Sequence, residues 1–114
     1  MLPRENRIKK KKDFELIFKN SKSFKNSLFI LKASKNNLNF NRFGFVVSQK
    51  VSKKAVTRNK IRRRLAQIMK VKDKDIKSGT DLIFIVLSGA DKKEFPEMQA
   101  LVESALIKMG LINF

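Results

Sequence analysis

One stretch of the sequence constrains the fold more than any other: Leu82 to Leu87 (LIFIVL) is an uninterrupted apolar run of six residues. Such a run leaves no polar side, so it predicts a strand buried in the interior of a covered sheet. The run is far shorter than the roughly 20 residues that span a bilayer, and the charged start of the chain lacks the apolar segment of a signal peptide. We therefore expect a soluble cytoplasmic protein with one domain, residues 1–114.

Weaker patterns predict the elements around this strand. Apolar residues at helical spacing predict helices over 12–20, 53–69 and 91–109, with Ser52 as the N-cap of the second and Gly110 ending the third. Apolar and aromatic residues predict strands over 27–33 and 43–48. The turn-rich connector between these strands, KNNLNFN, is suited to an antiparallel pair. The order α-β-β-α-β-α indicates an α/β sandwich of the α+β class, one sheet with helices packed against it.

The charge of the chain is large and unevenly distributed. There are 27 Lys and Arg against 10 Asp and Glu, a formal net charge of +17, and no acidic residue lies between Glu15 and Asp73. Self-repulsion of this size destabilises the free protein, and binding to a polyanion relieves it because condensed counterions are released. Nucleic acid is therefore the predicted partner. A membrane surface is not expected, because no amphipathic helix can spare its apolar side from the core.

The residue types that are missing exclude most catalytic chemistry. The sequence has no Cys and no His, so it lacks thiolate and imidazole zinc ligands and any Ser-His or Cys-His couple. Asp73 and Asp75 lie in a Lys-rich loop and are expected to be solvated, because two such side chains cannot assemble the oxygen shell of a catalytic metal ion. No metal site is predicted in the protein.

The most informative segment is 44–65, in which a strand leads into a helix rich in Arg and Lys. On a helical wheel, Ile61 and Leu65 lie on an apolar side and the cations surround the exposed side. Arg58 falls inside the apolar sector, so it either reaches around the helix end or points into a cleft beside the sheet. Asn59 is a poor helix former, and Arg with Asn suits recognition of phosphate, a 2′-hydroxyl or a base edge.

The ten aromatic residues are all Phe. Phe14 and Phe18 have the i, i+4 spacing of a helix, which is more often that of core residues. The alternative is that these rings line a groove on which bases stack, a role that does not require a polar handle on the ring. The sequence leaves both interpretations open.

Three segments resemble the bacterial ribonuclease P protein component: KKKKDFELIFK (9–19), FGFVVSQK (43–50) and KKAVTRNKIRRRL (53–65). The resemblance covers nearly the whole chain, and its most specific part is the signature Arg58, Asn59 and Lys60. It implies a fold of the ribosomal protein S5 domain 2-like type, with a left-handed crossover between parallel strands. Pattern alone would predict a right-handed crossover.

The resemblance also implies a function, as the protein subunit of an endonuclease that removes the 5′ leader from precursor tRNA. It implies that the RNA subunit carries out the hydrolysis and holds most of the Mg²⁺, with no cofactor in the protein alone. It further implies a monomer in a 1:1 complex with the catalytic RNA, with precursor tRNA as a second partner and no DNA. RNA docking is thereby assigned to Lys50, Lys53, Lys54, Arg58, Asn59, Lys60, Arg62 and Arg63. The leader cleft is assigned to Phe14, Phe18, Lys32, Arg58 and Asn59.

The sequence departs from the family pattern at four positions. Ser52 stands where the family usually has Gly, and Lys60 stands where it has Arg. The family has a further basic residue near Ala66, and Lys32 stands where relatives often have an aromatic residue. Lys60 keeps its charge without bidentate geometry, and Lys32 favours a phosphate contact over base stacking. A structural binder of ribosomal RNA is the alternative that composition leaves open. A helix-turn-helix DNA binder is disfavoured because strands are predicted where its first helix would lie.

Overall fold

A computed structural model describes residues 2–112, which contain four strands and three α-helices. The strands are β1 (Lys22–Lys25), β2 (Phe29–Lys35), β3 (Arg42–Val46) and β4 (Thr80–Val86). The helices are α1 (Lys11–Asn20), α2 (Ala55–Lys72) and α3 (Phe95–Lys108), and short 3₁₀ turns lie at Arg4–Asn6, Asp73–Asp75 and Ala90–Lys92. The α+β class and the single sheet with helices packed against it are confirmed. No helix within residues 2–112 is both long enough and apolar enough to cross a membrane.

The sheet has the strand order β1-β2-β4-β3. β2 pairs antiparallel with β1 and with β4, whereas β3 and β4 are parallel neighbours. The interior position of β4 confirms the prediction from its apolar run. The predicted antiparallel pair of β2 and β3 is wrong, because β4 lies between them. A strand without a polar side is most stable in the interior of a sheet, where strands pair with both of its edges and other elements cover its faces. Parallel pairing of β3 with β4 also requires a long crossover connection, which α2 supplies.

The connector between β2 and β3 does not form a hairpin turn. The Asn36 side-chain oxygen accepts a hydrogen bond from the Leu38 backbone N–H at 2.8 Å. The Asn36 backbone N–H donates to the Gly79 carbonyl at 2.9 Å, and Asn37 has a left-handed φ of 60°. These bonds fasten the connector to the chain just before β4. The connector therefore carries the chain past the start of β4 to the far edge of the sheet.

Strand β1 was not predicted from the sequence. Its sequence, KSFK, has Phe24 as its only apolar residue, because an edge strand with one solvated side needs little apolar content. The observed order is therefore α-β-β-β-α-β-α. The handedness of the β3-α2-β4 crossover stays a prediction.

Of the two helix caps predicted from the sequence, the structure confirms one. The predicted capping role of Gly110 is confirmed: α3 ends at Lys108, and Gly110 follows with φ 70°. The N–H of Gly110 donates to the Ile107 carbonyl and that of Leu111 to the Leu106 carbonyl, which together form a Schellman motif. The N-cap prediction for Ser52 is wrong: α2 begins after Lys54 with no side-chain cap. The Ser52 hydroxyl oxygen instead accepts a hydrogen bond from the Lys54 backbone N–H at 3.2 Å, within the loop before α2.

The two faces of the sheet are covered unequally. Alternate side chains of β4 point to opposite sides, so Phe84 lies on one face and Ile83 on the other. α2 and α3 pack on the side of Phe84, which we call the α2/α3 face, and α1 crosses the side of Ile83, which we call the α1 face. The α2/α3 face holds most of the core, including Phe29, Phe43, Phe84, Leu31, Leu65, Met69, Leu82, Met98 and Leu106. The α1 face is covered by one short helix, so part of it stays open.

Candidate nucleic-acid interface

The cations at the start of α2 and in the loop before it lie on one exposed surface, which we call the α2 basic surface. It consists of Lys50, Lys53, Lys54, Arg58, Asn59, Lys60, Arg62 and Arg63, all of them exposed except Arg58 and Arg62, which are half-buried. Burial of Ile61 and Leu65 against the sheet directs the remaining sides of α2 towards solvent. The structure therefore brings together the whole set of predicted docking residues.

Arg58 and Arg62 are held in place by hydrogen bonds. Arg58 Nη1 donates to the backbone carbonyls of Ser52 and Lys53, each at 3.0 Å, so the side chain reaches back around the helix end. Arg62 Nη1 donates to Asn59 Oδ1 at 2.7 Å, and its Nη2 donates to the Val47 carbonyl at 3.2 Å. These acceptors are uncharged oxygens, and both guanidinium groups have further N–H donors for an anionic ligand.

In the part of the chain that the structure describes, no residue of the α2 basic surface forms an ion pair. Within residues 2–112 the ion pairs involve Arg42, Lys72 and Lys93, and none of these belongs to the α2 basic surface. A dense group of cations without carboxylate partners binds polyanions strongly and with a steep salt dependence. The charge of this surface is therefore suited to a phosphate-rich ligand.

A second candidate surface lies on the open part of the α1 face, and we call it the α1 cleft. Its floor consists of the half-buried Ile30, Val46 and Ile85, and its wall is the side of α1 that carries Phe14 and Phe18. The ring centroids of Phe14 and Phe18 are 6.3 Å apart at an interplanar angle of 49°. Phe14 is half-buried, but Phe18 is 41% exposed. The structure therefore excludes a core position for Phe18.

Gly44 allows α1 to approach the sheet closely. A Cβ atom at this position would lie 2.9 Å from Phe14 Cε1, inside the normal contact distance. Because Gly44 has no side chain, the Phe14 ring lies directly over the backbone of β3. One edge of the α1 cleft is thus set by a backbone contact rather than by side-chain packing.

Lys32 lies on the α1 face of β2, half-buried, and its Nζ donates to Ser23 Oγ at 2.8 Å. This ammonium group adds a positive charge to the side of the cleft next to β1. The cleft is linked to α2 through the bond from Arg62 to the Val47 carbonyl, one residue beyond Val46 in the cleft floor. Ser23 was missed in the sequence because β1 was not predicted.

A buried polar cluster at the opposite end of the sheet was also missed. Asp81 is buried; its Oδ2 accepts a hydrogen bond from Arg42 Nη2 at 2.7 Å, and its Oδ1 accepts one from Arg42 Nε at 2.9 Å. Asn36 Nδ2 also donates to Asp81 Oδ1, at 2.8 Å. The hydrogen bond to Asp81 raises the pKa of Arg42 above its ordinary value, although desolvation opposes the shift. An acidic residue directly before the apolar run was the only signal in the sequence.

Asp73 belongs to a related set of bonds and is not simply solvated. It is half-buried, and its Oδ1 accepts a hydrogen bond from the buried Asn41 side chain at 2.8 Å. Asn41 Oδ1 in turn accepts a hydrogen bond from the Thr80 backbone N–H at 2.9 Å. The prediction of a solvated carboxylate holds for the exposed Asp75 and is wrong for Asp73, whose neighbour Asn41 comes from a distant part of the chain.

The fold and the α2 basic surface together define a class: a small α+β protein that exposes a basic helix as a candidate site for a polyanion. The family model described as ribonuclease P matches residues 2–110. The chain is 37% identical to the ribonuclease P protein component of Clostridium botulinum (strain Loch Maree / Type A3) over 111 residues, 96% of this chain and 99% of that protein. The same protein component of Alkaliphilus oremlandii is 36% identical over 108 residues, 95% of this chain and 94% of that protein.

Solved structures show the same relationship. The Staphylococcus aureus ribonuclease P protein matches with a TM-score of 0.87 and 32% identity, covering 95% of this chain and 98% of that one. The Thermotoga maritima ribonuclease P protein matches with a TM-score of 0.79 and 30% identity, covering 88% and 94%. The chain belongs to the ribonuclease P protein component family. The resemblance found in the sequence is confirmed, and family membership implies an RNA partner.

Proposed function

We propose that the protein docks on the catalytic RNA of ribonuclease P through the α2 basic surface and holds the 5′ leader of precursor tRNA in the α1 cleft. In this way it promotes endonucleolytic removal of the leader, as one monomer on one RNA. The observation that carries the proposal is the α2 basic surface itself, whose cations lack acidic partners within residues 2–112. The RNA subunit carries out the hydrolysis and holds most of the Mg²⁺, which activates water.

The side chains have different parts in this proposal. The lysines of the α2 basic surface neutralise phosphates as point charges, whereas Arg58 and Arg62, fixed by backbone carbonyls, present oriented donors. In the α1 cleft, Phe14 and Phe18 offer ring faces on which leader bases stack, and Lys32 contacts a phosphate. Arg58 and Asn59, on the first turns of α2, meet the RNA where the leader enters the cleft.

Cleavage of precursor tRNA at low Mg²⁺ tests the proposed function. We would compare a bacterial ribonuclease P RNA alone, the protein alone, and the two together. The expected result is strong stimulation only by the combination, because the protein reduces electrostatic repulsion between the two RNAs that Mg²⁺ otherwise screens. Tight RNA binding without stimulation would overturn the proposal and favour a structural RNA-binding role. Cleavage by the protein alone would contradict the assignment of the hydrolysis to RNA.

Replacing Phe18 with alanine is expected to weaken holoenzyme binding to precursor tRNA by about 1 kcal/mol or more, roughly fivefold, because a stacking surface for a base is lost. Binding of mature tRNA, which has no leader, should be unchanged. Stability should change little, because the ring is 41% exposed. The measurement is the affinity of the reconstituted holoenzyme for both tRNAs. Leu16→Ala is the matched control, since Leu16 lies on the same helix and is 51% exposed. Equal losses for both tRNAs would contradict a leader contact by Phe18.

A further inference from the structure

One guanidinium group joins the start of α1 to the interior of the sheet. Arg42 forms a two-pronged pair with the buried Asp81 of β4, with distances of 2.7 and 2.9 Å. Its remaining terminal nitrogen, Nη1, lies 3.4 Å from Asp13 Oδ2 in the first turn of α1. Because Asp81 fixes the position of Arg42, the contact with Asp13 is a contact between α1 and a rigid point of the sheet.

Packing on the sheet and the pairing of the preceding segment with β3 also hold α1 in place. Ile17 is the only buried residue of α1, and the helix begins after Lys10 without a side-chain cap. The second close contact is that of Phe14 with the backbone of β3 at Gly44. The segment before α1 is fastened to β3, where the backbone N–H of the buried Ile8 donates to the Phe43 carbonyl at 2.9 Å. Within α1 itself one residue is buried, so the contact of Asp13 with Arg42 helps to set the rotation of the helix about its axis.

The position of Asp13 in the sequence ties this contact to the α1 cleft. Asp13 directly precedes Phe14 and lies five positions before Phe18, so rotation of α1 about its axis would move both rings relative to the cleft floor. Asp13 is also the only acidic residue in the first turn, which follows Lys9 and Lys10 and begins with Lys11 and Lys12. Without its carboxylate, the end of α1 next to Arg42 would be entirely cationic.

We infer that Asp13 is a positioning residue for the leader, and that its ion pair with Arg42 holds α1 in the orientation in which Phe14 and Phe18 line the α1 cleft. The inference rests on the proposed function of that cleft. Asp13 contacts neither the leader nor the catalytic RNA in this account. Asp13 instead raises the fraction of molecules in which the cleft is ready to bind. The apparent affinity for the leader is proportional to this fraction.

The test is the Asp13→Asn variant, which removes the charge and keeps the shape of the side chain. Glu15→Gln is the matched control, because it makes the same charge change on α1 at an exposed residue that has no ion pair within residues 2–112. In the reconstituted holoenzyme, we would measure the affinities for leader-bearing precursor and for mature tRNA. The ratio of the two affinities is expected to fall about two- to fivefold in Asp13→Asn, the range of a partly exposed ion pair.

Three further results decide the inference. Glu15→Gln should leave the ratio unchanged, and Asp13→Glu, which keeps a carboxylate within reach of Arg42, should restore most of it. The affinity for the catalytic RNA should be the same in all variants, because the α2 basic surface does not depend on α1. A wild-type ratio in Asp13→Asn, or a parallel loss of catalytic-RNA affinity, would overturn the positioning role. A wild-type holoenzyme that does not distinguish the two tRNAs would instead refute the proposed leader site, and the positioning role with it.

Discussion

Replacing Arg42 with methionine is expected to lower the free energy of unfolding by about 3 kcal/mol, because it leaves the carboxylate of Asp81 buried without its cationic partner. The side chain of Asp81 is 3% exposed and that of Arg42 is 21% exposed. After the substitution, the side-chain amide of Asn36 would be the remaining donor to this carboxylate. Methionine retains most of the volume of the arginine stem, so the expected loss comes from the charge and not from a cavity. The measurement is urea denaturation, in which the midpoint should fall at an unchanged slope.

The control for this prediction is the double variant Arg42→Met with Asp81→Leu. Removing both charges should recover most of the lost stability, because a buried ion pair and an apolar pair of similar volume are often nearly equivalent. If the single and double variants were equally destabilised, packing rather than the unpaired carboxylate would be the cause.

The pH dependence of this contribution follows from the raised pKa of Arg42, whose main cause is the hydrogen bond to Asp81. A basic group with a raised pKa in the folded state contributes stability that is fully present at pH values below its pKa in the unfolded state. This contribution is lost as the pH rises through the pKa of the folded state. For a guanidinium group, that range lies above any pH used in ordinary measurements. We therefore expect the difference in the free energy of unfolding between wild type and Arg42→Met not to decrease as the pH is raised above neutrality.

The second large effect is expected on RNA binding when three cations of the α2 basic surface are neutralised together. In the variant Lys54→Gln, Lys60→Gln and Arg63→Gln, the slope of log affinity against log salt concentration should decrease by about 2 to 3, since each lost phosphate contact removes about 0.7 to 0.9. Extrapolated to roughly 0.15 M salt, this change corresponds to about a 50-fold or greater loss of affinity for the catalytic RNA. The measurement is a titration of the RNA at several salt concentrations.

An equal change of net charge elsewhere separates a specific surface from a general attraction. Lys22, Lys35 and Lys77 surround a groove next to the start of β4, at the end of the sheet opposite to the start of α2. Converting these three to glutamine should change the salt slope much less. Equal effects of the two triple variants would mean that net charge, and not the α2 basic surface, determines the binding.

The residues of the candidate interface differ in how far the sequence could predict them. Ile61 and Leu65 define the buried side of α2 by spacing alone, so the exposure of Lys60 and Arg63 follows from helical periodicity. Arg58 could not be placed in this way, because its bonds to the Ser52 and Lys53 carbonyls depend on the path of the loop before α2. Phe18 likewise had the spacing of a core residue, and its exposure depends on how little of the α1 face a short helix covers.

The sequence by itself determined the class of the protein, the existence of its main elements and the helix that carries its charge. These depend on local periodicity and on net charge, which do not require knowledge of distant contacts. Only the tertiary structure decided that β4 separates β2 from β3, that Arg42 joins Asp13 to Asp81, and that Asn41 holds Asp73. The side-chain contacts among these join residues 29 to 39 positions apart. The physical reason is that a polar side chain is buried only where folding brings its partner to it, and the partner's position in the sequence carries no periodic signal.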